Sequence, residues 1–164
     1  MYPKGLVGVY LTWSGPANDL FAAASTIGAG VTTGTVVGAS REPGEPAFTE
    51  AGPLLSVWYK TVVPAGKTSA TVSSPLRLRS QIMAWRIDLL TCGVWAVCWR
   101  CMSGQIDLAG SEFDTYLSVY TGSSLDTLTP VVNNDDCTAA VVTSCATFTV
   151  AENTQLYIQV SAPI

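Results

Sequence analysis

The strongest constraint on the fold is an alternation of apolar and polar side chains, which appears in residues 113–120, 146–150 and 156–160. Successive side chains of a β-strand point to opposite faces, so each run predicts a strand with one buried face. Turn residues separate these runs at short intervals, which is typical of antiparallel sheets. We therefore predict an all-β fold, an antiparallel β-sandwich whose interior contains Leu117, Val119, Phe148, Val150, Leu156, Ile158 and Val160.

The composition narrows the class of protein. Charged residues make up 12% of the 164, about half the usual ~25%. No apolar run reaches the ~18–20 residues that a membrane-spanning helix needs. The net charge is −4 and no basic stripe is visible, which argues against nucleic acid as a partner. We expect a single monomeric domain without a membrane span.

The chain contains no histidine. This excludes Ser-His and Cys-His nucleophile pairs, imidazole bases and His-ligated zinc. The aspartic-protease signal Asp-Thr-Gly is also missing, because Asp114-Thr115 is followed by Tyr116. We expect no enzymatic activity, and a hydrolase that uses paired carboxylates is kept as an alternative.

Residues 72–105 differ from the rest of the chain. They carry four arginines and one aspartate, a net charge of +3 against −7 elsewhere, and three of the five tryptophans. Cys92, Cys98 and Cys101 suggest zinc, but the segment offers no fourth thiolate and no histidine. An amphipathic surface helix over residues 82–99 is a second interpretation.

The interpretation that we favour is a translated intron. Val72 has a GTN codon, Gln105 can be encoded by CAG, and the 34 codons between the two ends preserve the reading frame. Removal joins Thr71 to Ile106, which places Ala70 and Ile106 on one face of a single strand together with Leu108. We expect residues 72–105 to protrude from the fold, because one strand position cannot absorb 34 residues.

With that segment set aside, several blocks resemble the bacterial pre-peptidase C-terminal domain family. The blocks follow one another in the family's order. Residues 18–24 resemble the family pattern N-D-x-F-x-x-A, 38–46 resemble G-A-[ST]-x-E-x-G-E-P, 56–59 match S-V-W-Y, and 63–66 resemble A-P-A-x-G. Residues 113–122 resemble F-D-T-x-L-x-V-Y-T-G, 134–136 match N-D-D, and 155–160 resemble T-x-Y-x-I-x-V.

The resemblance implies a jelly-roll β-sandwich over residues 16–162, interrupted by an atypical insertion at 72–105, with 1–15 as an upstream extension or linker. It further implies a non-catalytic accessory module of a larger secreted protein such as a peptidase, located outside the cell or on its surface. The implied partners are the catalytic domain of the parent protein, or extracellular matrix or polysaccharide.

Five carboxylates fall within these blocks: Glu42, Glu45, Asp114, Asp135 and Asp136. Oxygen ligands without histidine or thiolate suit a hard cation, and Ca²⁺ takes about 6–8 of them. We predict that these residues form a calcium site. The alternative is that they are solvated turn residues, with Asn134 and Asp135 making Asx-turns.

Two cysteines near the end of the chain are close in sequence. Cys137 and Cys145 flank seven residues, and we predict a disulfide between them, which implies an oxidising compartment. Two buried free thiols are the alternative.

A carbohydrate- or matrix-binding function would need exposed aromatic side chains on one sheet face. The candidates at outward strand positions are Tyr116, Tyr120 and Tyr157.

Overall fold

The computed structural model describes residues 15–47, 54–65, 83–91 and 101–163. Within these ranges the chain forms β-strands and two short 3-10 turns, Phe21–Ala23 and Leu125–Thr127, and no α-helix. The all-β prediction is confirmed. The strands are β1 (Ser25–Thr26), β2 (Gly30–Gly34), β3 (Leu54–Val62), β4 (Met83–Thr91), β5 (Cys101–Asp107), β6 (Tyr116–Thr121), β7 (Thr129–Asn134), β8 (Cys145–Ala151) and β9 (Gln155–Pro163).

The strands form two sheets. A five-stranded sheet has the order β1-β3-β9-β6-β7, and a four-stranded sheet has the order β2-β4-β5-β8. All neighbours are antiparallel except β1, which pairs with β3 in parallel over two residues. The five-stranded sheet is therefore mixed, where purely antiparallel pairing was predicted.

One hydrophobic core lies between the sheets, because the alternation along each strand directs apolar side chains inward. The five-stranded sheet contributes Val57, Tyr59, Leu117, Val119, Leu156, Ile158 and Val160, and the four-stranded sheet contributes Met102, Ile106, Ala146 and Phe148. Six of the seven predicted core residues are buried, and Val150 is partly buried against the same cluster.

The outer face of the five-stranded sheet is also covered. Trp58 and Tyr120 are buried there, and the ring of Phe21 meets Trp58 edge-on at 5.2 Å between centroids. Asn18 holds this covering segment against β3, since its side-chain amide donates to the Trp58 carbonyl at 3.0 Å. Trp58 thus lies outside the main core and Tyr59 inside it, on opposite faces of one strand.

The expectation that residues 72–105 protrude is wrong for the part that the structure describes. β4 pairs on one side with β2 and on the other with β5, so residues 83–91 form an inner strand of the four-stranded sheet and not a surface helix. Residues 101–105 belong to β5, where Met102 is buried on the same face as Ile106. The physical reason is that 101–105 continue the period-two pattern upstream of Ile106. Residues 72–82 and 92–100, with Cys92 and Cys98, lie outside the described residues.

Candidate metal centre

Three aspartates meet at one edge of the five-stranded sheet. Asp114 lies two residues before β6, while Asp135 and Asp136 directly follow β7. β6 and β7 are antiparallel neighbours with Leu117 opposite Asn134, so the start of one strand lies beside the end of the other. Carboxylate oxygens of the three residues lie within 4.8 Å of one another. We call Asp114, Asp135 and Asp136 the aspartate cluster.

The carboxylate of Asp114 has a distinctive environment within this cluster. Its Oδ1 atom is buried, and among the described residues it has no hydrogen-bond partner. Buried polar atoms are almost always paired, because an unpaired oxygen loses its hydration without compensation. Asp136, in contrast, is exposed. The cluster therefore combines a desolvated oxygen with solvent-facing ones, an arrangement that a bound cation would satisfy.

The negative charge of the aspartate cluster affects the pKa of the neighbouring Tyr116. Partial desolvation raises the pKa of its phenol, and the charges of Asp135, Asp114 and Asp136 raise it further. Negative charges disfavour the phenolate, which would add another negative charge beside them. Of the three predicted ligand-contact tyrosines, Tyr116 is therefore the one beside the acidic site, and its side chain is half-buried.

A buried network joins the loops that carry the cluster. The Ser144 amide donates to Thr115 Oγ1 at 2.8 Å, and Ser144 Oγ lies 2.6 Å from the Asp135 carbonyl oxygen and close to the Thr115 carbonyl oxygen. Asn134 Oδ1 accepts from the Cys145 amide at 2.8 Å, and its Nδ2 donates to the Asp136 carbonyl at 3.1 Å. The Asn134 side chain thus ties the residues after β7 to the first residue of β8.

The predicted disulfide is present. Cys137 and Cys145 are bonded, with 4.9 Å between their Cα atoms and a sequence separation of 8. The bridge closes the loop that begins directly after Asp136 and ends at the first residue of β8. It therefore fixes the backbone directly after Asp136 to the start of β8.

Glu45 is not part of the aspartate cluster, contrary to the predicted five-residue ligand set. It is only 6% exposed and lies on the outer face of the five-stranded sheet. Its Oε1 accepts from the Trp58 indole at 2.8 Å, and its Oε2 accepts from Ser56 Oγ at 2.6 Å and Gln159 Nε2 at 3.4 Å. These donors already satisfy the carboxylate, so it holds the 40–47 loop against the sheet.

Glu42 also makes a structural contact. Its Oε2 accepts from the backbone amide of Phe21 at 2.9 Å, which ties the acidic loop to the covering segment. Neither glutamate belongs to the group of acidic residues that converge in the described part of the chain. The predicted ligand set is therefore reduced to the aspartate cluster.

The three candidate tyrosines do not form an exposed row. Tyr120 is 5% exposed, donates from its hydroxyl to Gln159 Oε1 at 3.3 Å and packs near Trp58. Tyr157 is half-buried against Phe21, with ring centroids 4.5 Å apart. Tyr120 and Tyr157 belong to the apolar cluster on the outer sheet face, where Phe21, Leu125 and Leu128 also pack, so the exposed row that a carbohydrate- or matrix-binding face would need is not formed at these positions. In the sequence, the N-D-x-F pattern at 18–21 marks the part of the covering segment that contains Phe21.

Comparisons with known protein families, with curated proteins and with solved structures return no match. Within the described residues, no helix is long and apolar enough to cross a bilayer.

Proposed function

We propose that this chain is a non-catalytic, calcium-stabilised extracellular module of the pre-peptidase C-terminal type, with its two sheets arranged as a jelly-roll sandwich. It would serve as an accessory or binding domain of a larger secreted protein such as a peptidase. The observation that carries the calcium part is the convergence of the carboxylates of Asp114, Asp135 and Asp136, together with the buried Asp114 Oδ1, which has no hydrogen-bond partner among the described residues. The disulfide supports the extracellular part, because such bonds persist in oxidising compartments.

Calcium suits the donor set better than a transition metal does. The cluster offers only oxygen atoms, and nearby Cys137 and Cys145 are bonded to each other and cannot act as thiolate ligands. Ca²⁺ accepts irregular sets of carboxylate, carbonyl and water oxygens at roughly 2.3–2.6 Å. Three carboxylates in one place repel each other, and a divalent cation converts this repulsion into coordination.

The alternative functions have less support. A carbohydrate- or matrix-binding face lacks the exposed aromatic row that it needs, since Tyr120 is buried. We propose no hydrolase activity for the aspartate cluster, because the chain has no histidine and Asp136 is exposed to solvent rather than desolvated for acid–base chemistry.

The test is thermal unfolding in calcium and in chelator. A ligand that binds only the folded state adds about 2.7 kcal/mol to the free energy of unfolding at a hundredfold excess over Kd. For a domain of this size, 1 kcal/mol corresponds to roughly 2–4 °C in Tm. We therefore expect millimolar calcium to raise Tm by about 5–10 °C over EGTA, and Asp136→Asn to remove most of this difference.

The matched control is Asp126→Asn. Asp126 is also exposed, and it lies in the turn Leu125–Thr127, outside the cluster. This variant should respond to calcium as the unmodified protein does. Equal Tm values in calcium and EGTA for the unmodified protein would contradict the proposal and return the three aspartates to the solvated-turn interpretation.

A further inference from the structure

Ser144 is buried at the meeting point of the two chain segments that carry the aspartate cluster. It is 0% exposed, as is Thr115. One segment is the approach to β6, where Asp114 directly precedes Thr115. The other is the loop after β7, which begins with Asp135. Ser144 is the last residue of that loop, directly before β8, and it contacts both Thr115 and Asp135.

All the polar groups of Ser144 are engaged. Its amide donates to Thr115 Oγ1 at 2.8 Å, and its carbonyl accepts from the Leu108 amide at 2.9 Å. Its hydroxyl oxygen lies within hydrogen-bonding distance of the Thr115 and Asp135 carbonyl oxygens, and a hydroxyl has one proton to donate. Thr115 Oγ1 also lies 3.1 Å from Ser144 Oγ. Ser144 therefore joins the Thr115 side chain, through its amide, to the backbone of Asp135, through its hydroxyl.

We propose that Ser144 is a positioning residue for calcium, setting the spacing of Asp114 and Asp135 through its contacts with Thr115 and the Asp135 carbonyl. The proposal rests on the calcium site proposed above. Ser144 does not bind the ion itself. Residues that hold metal ligands in place in this way typically affect metal affinity by 10–100-fold when they are changed.

The experiment measures the calcium Kd of the full chain by isothermal titration, together with Tm in EGTA, for three variants. Ser144→Ala removes the hydroxyl, and Thr115→Val removes the acceptor on the other side of the contact while keeping the shape. Thr115→Ser retains that hydroxyl. We expect the calcium Kd of Ser144→Ala and of Thr115→Val to be at least 10-fold higher than that of the unmodified protein. The Kd of Thr115→Ser should lie within about threefold of the unmodified value, because this variant keeps the hydroxyl.

A control variant separates positioning from general loss of stability. Ser56→Ala removes a different buried hydroxyl, which donates to Glu45 on the outer face of the sheet. It should lower Tm in EGTA and leave the calcium Kd unchanged. Thr115→Val and Thr115→Ser carry the test if Ser144→Ala does not fold.

The outcomes distinguish the two proposals. If the unmodified protein binds no calcium, the proposed function is wrong and the positioning role falls with it. If the unmodified protein binds calcium and both hydroxyl-removing variants bind it with the same Kd, only the positioning role is overturned. A rise in Kd for Ser56→Ala equal to that for Thr115→Val would also overturn it, because affinity would then follow stability alone.

Discussion

Replacing Glu45 by alanine should destabilise the fold strongly and to the same extent with and without calcium. Two short hydrogen bonds end on this buried carboxylate, from Trp58 Nε1 at 2.8 Å and from Ser56 Oγ at 2.6 Å. Hydrogen bonds to charged groups contribute roughly 1.5–3 kcal/mol each. The longer contact with Gln159 Nε2, at 3.4 Å, adds little.

The truncation also leaves a donor without a partner. Trp58 is 0% exposed, so its indole N–H would be buried and unpaired. We therefore expect Glu45→Ala to lower the free energy of unfolding by about 3–5 kcal/mol. Glu45→Gln keeps the shape and one acceptor oxygen, and it should cost about half as much or less.

Urea unfolding in calcium and in EGTA measures these free energies, with two-state behaviour checked by a second probe. A double-mutant cycle with Trp58→Phe isolates the carboxylate–indole contact, for which we expect a coupling of about 1–2 kcal/mol. The matched comparison is Asp136→Asn, which should act on the calcium response and leave the stability in EGTA nearly unchanged.

Two results would refute this reasoning. A Glu45→Ala protein within about 1 kcal/mol of the unmodified protein would show that the buried hydrogen bonds are not structural. A loss of stability seen only in calcium would instead place Glu45 in the ion site, as the five-carboxylate prediction from the sequence had it.

The remaining predictions concern the disulfide, the acidic site and the 72–105 segment. Replacing Cys137 and Cys145 by serine should lower the free energy of unfolding by about 2–3 kcal/mol, measured in urea, because so short a loop has limited closure entropy; an unchanged midpoint would contradict this. Calcium should lower the raised pKa of Tyr116 towards its ordinary value by neutralising neighbouring charge, as followed by NMR titration, and a pKa indifferent to calcium would count against binding beside it. The translated-intron hypothesis predicts messenger reads that join codon 71 to codon 106 and a folded chain without 72–105; only continuous mature messages would rule it out.

The structure adds a specific condition to the intron hypothesis. In the joined chain Ala70 would take the inward position of Gly104, where a Cβ atom would meet the Phe148 ring at 2.6 Å. The ring would have to move, and the pairing that β4 provides between β2 and β5 would be lost. Against this, Ile106 and Leu108 are both fully buried, as the joined strand requires.

Local patterns were enough to predict the strands and their buried faces. Leu117, Val119, Ile158 and Val160 are all buried because alternation within one strand decides which face a side chain takes. The disulfide was also accessible from the short spacing of Cys137 and Cys145, whereas the proximity of Asp114 to Asp135 follows from the antiparallel pairing of β6 with β7, which places the start of one strand beside the end of the other.

Contacts between distant parts of the chain decided the rest. Tyr120 alternates as an outward residue, and it is outward from the main core, but the segment before β1 buries it. Glu45 has a carboxylate that could bind a cation. In the folded chain this carboxylate instead accepts hydrogen bonds from donors that lie 11, 13 and 114 residues away, and it holds its loop against the sheet.

The sequence by itself thus determined the all-β class, the inner faces of the strands and the Cys137–Cys145 pair, because alternation and short spacing along the chain are local properties. Only the tertiary structure decided which carboxylates converge at one site and which hold loops in place through hydrogen bonds, that the outer sheet face is covered, and that residues 83–91 pair within a sheet. The burial of a side chain and its hydrogen-bond partners depend on contacts between segments that are far apart in the sequence. The spacing of residues along the chain does not determine these contacts.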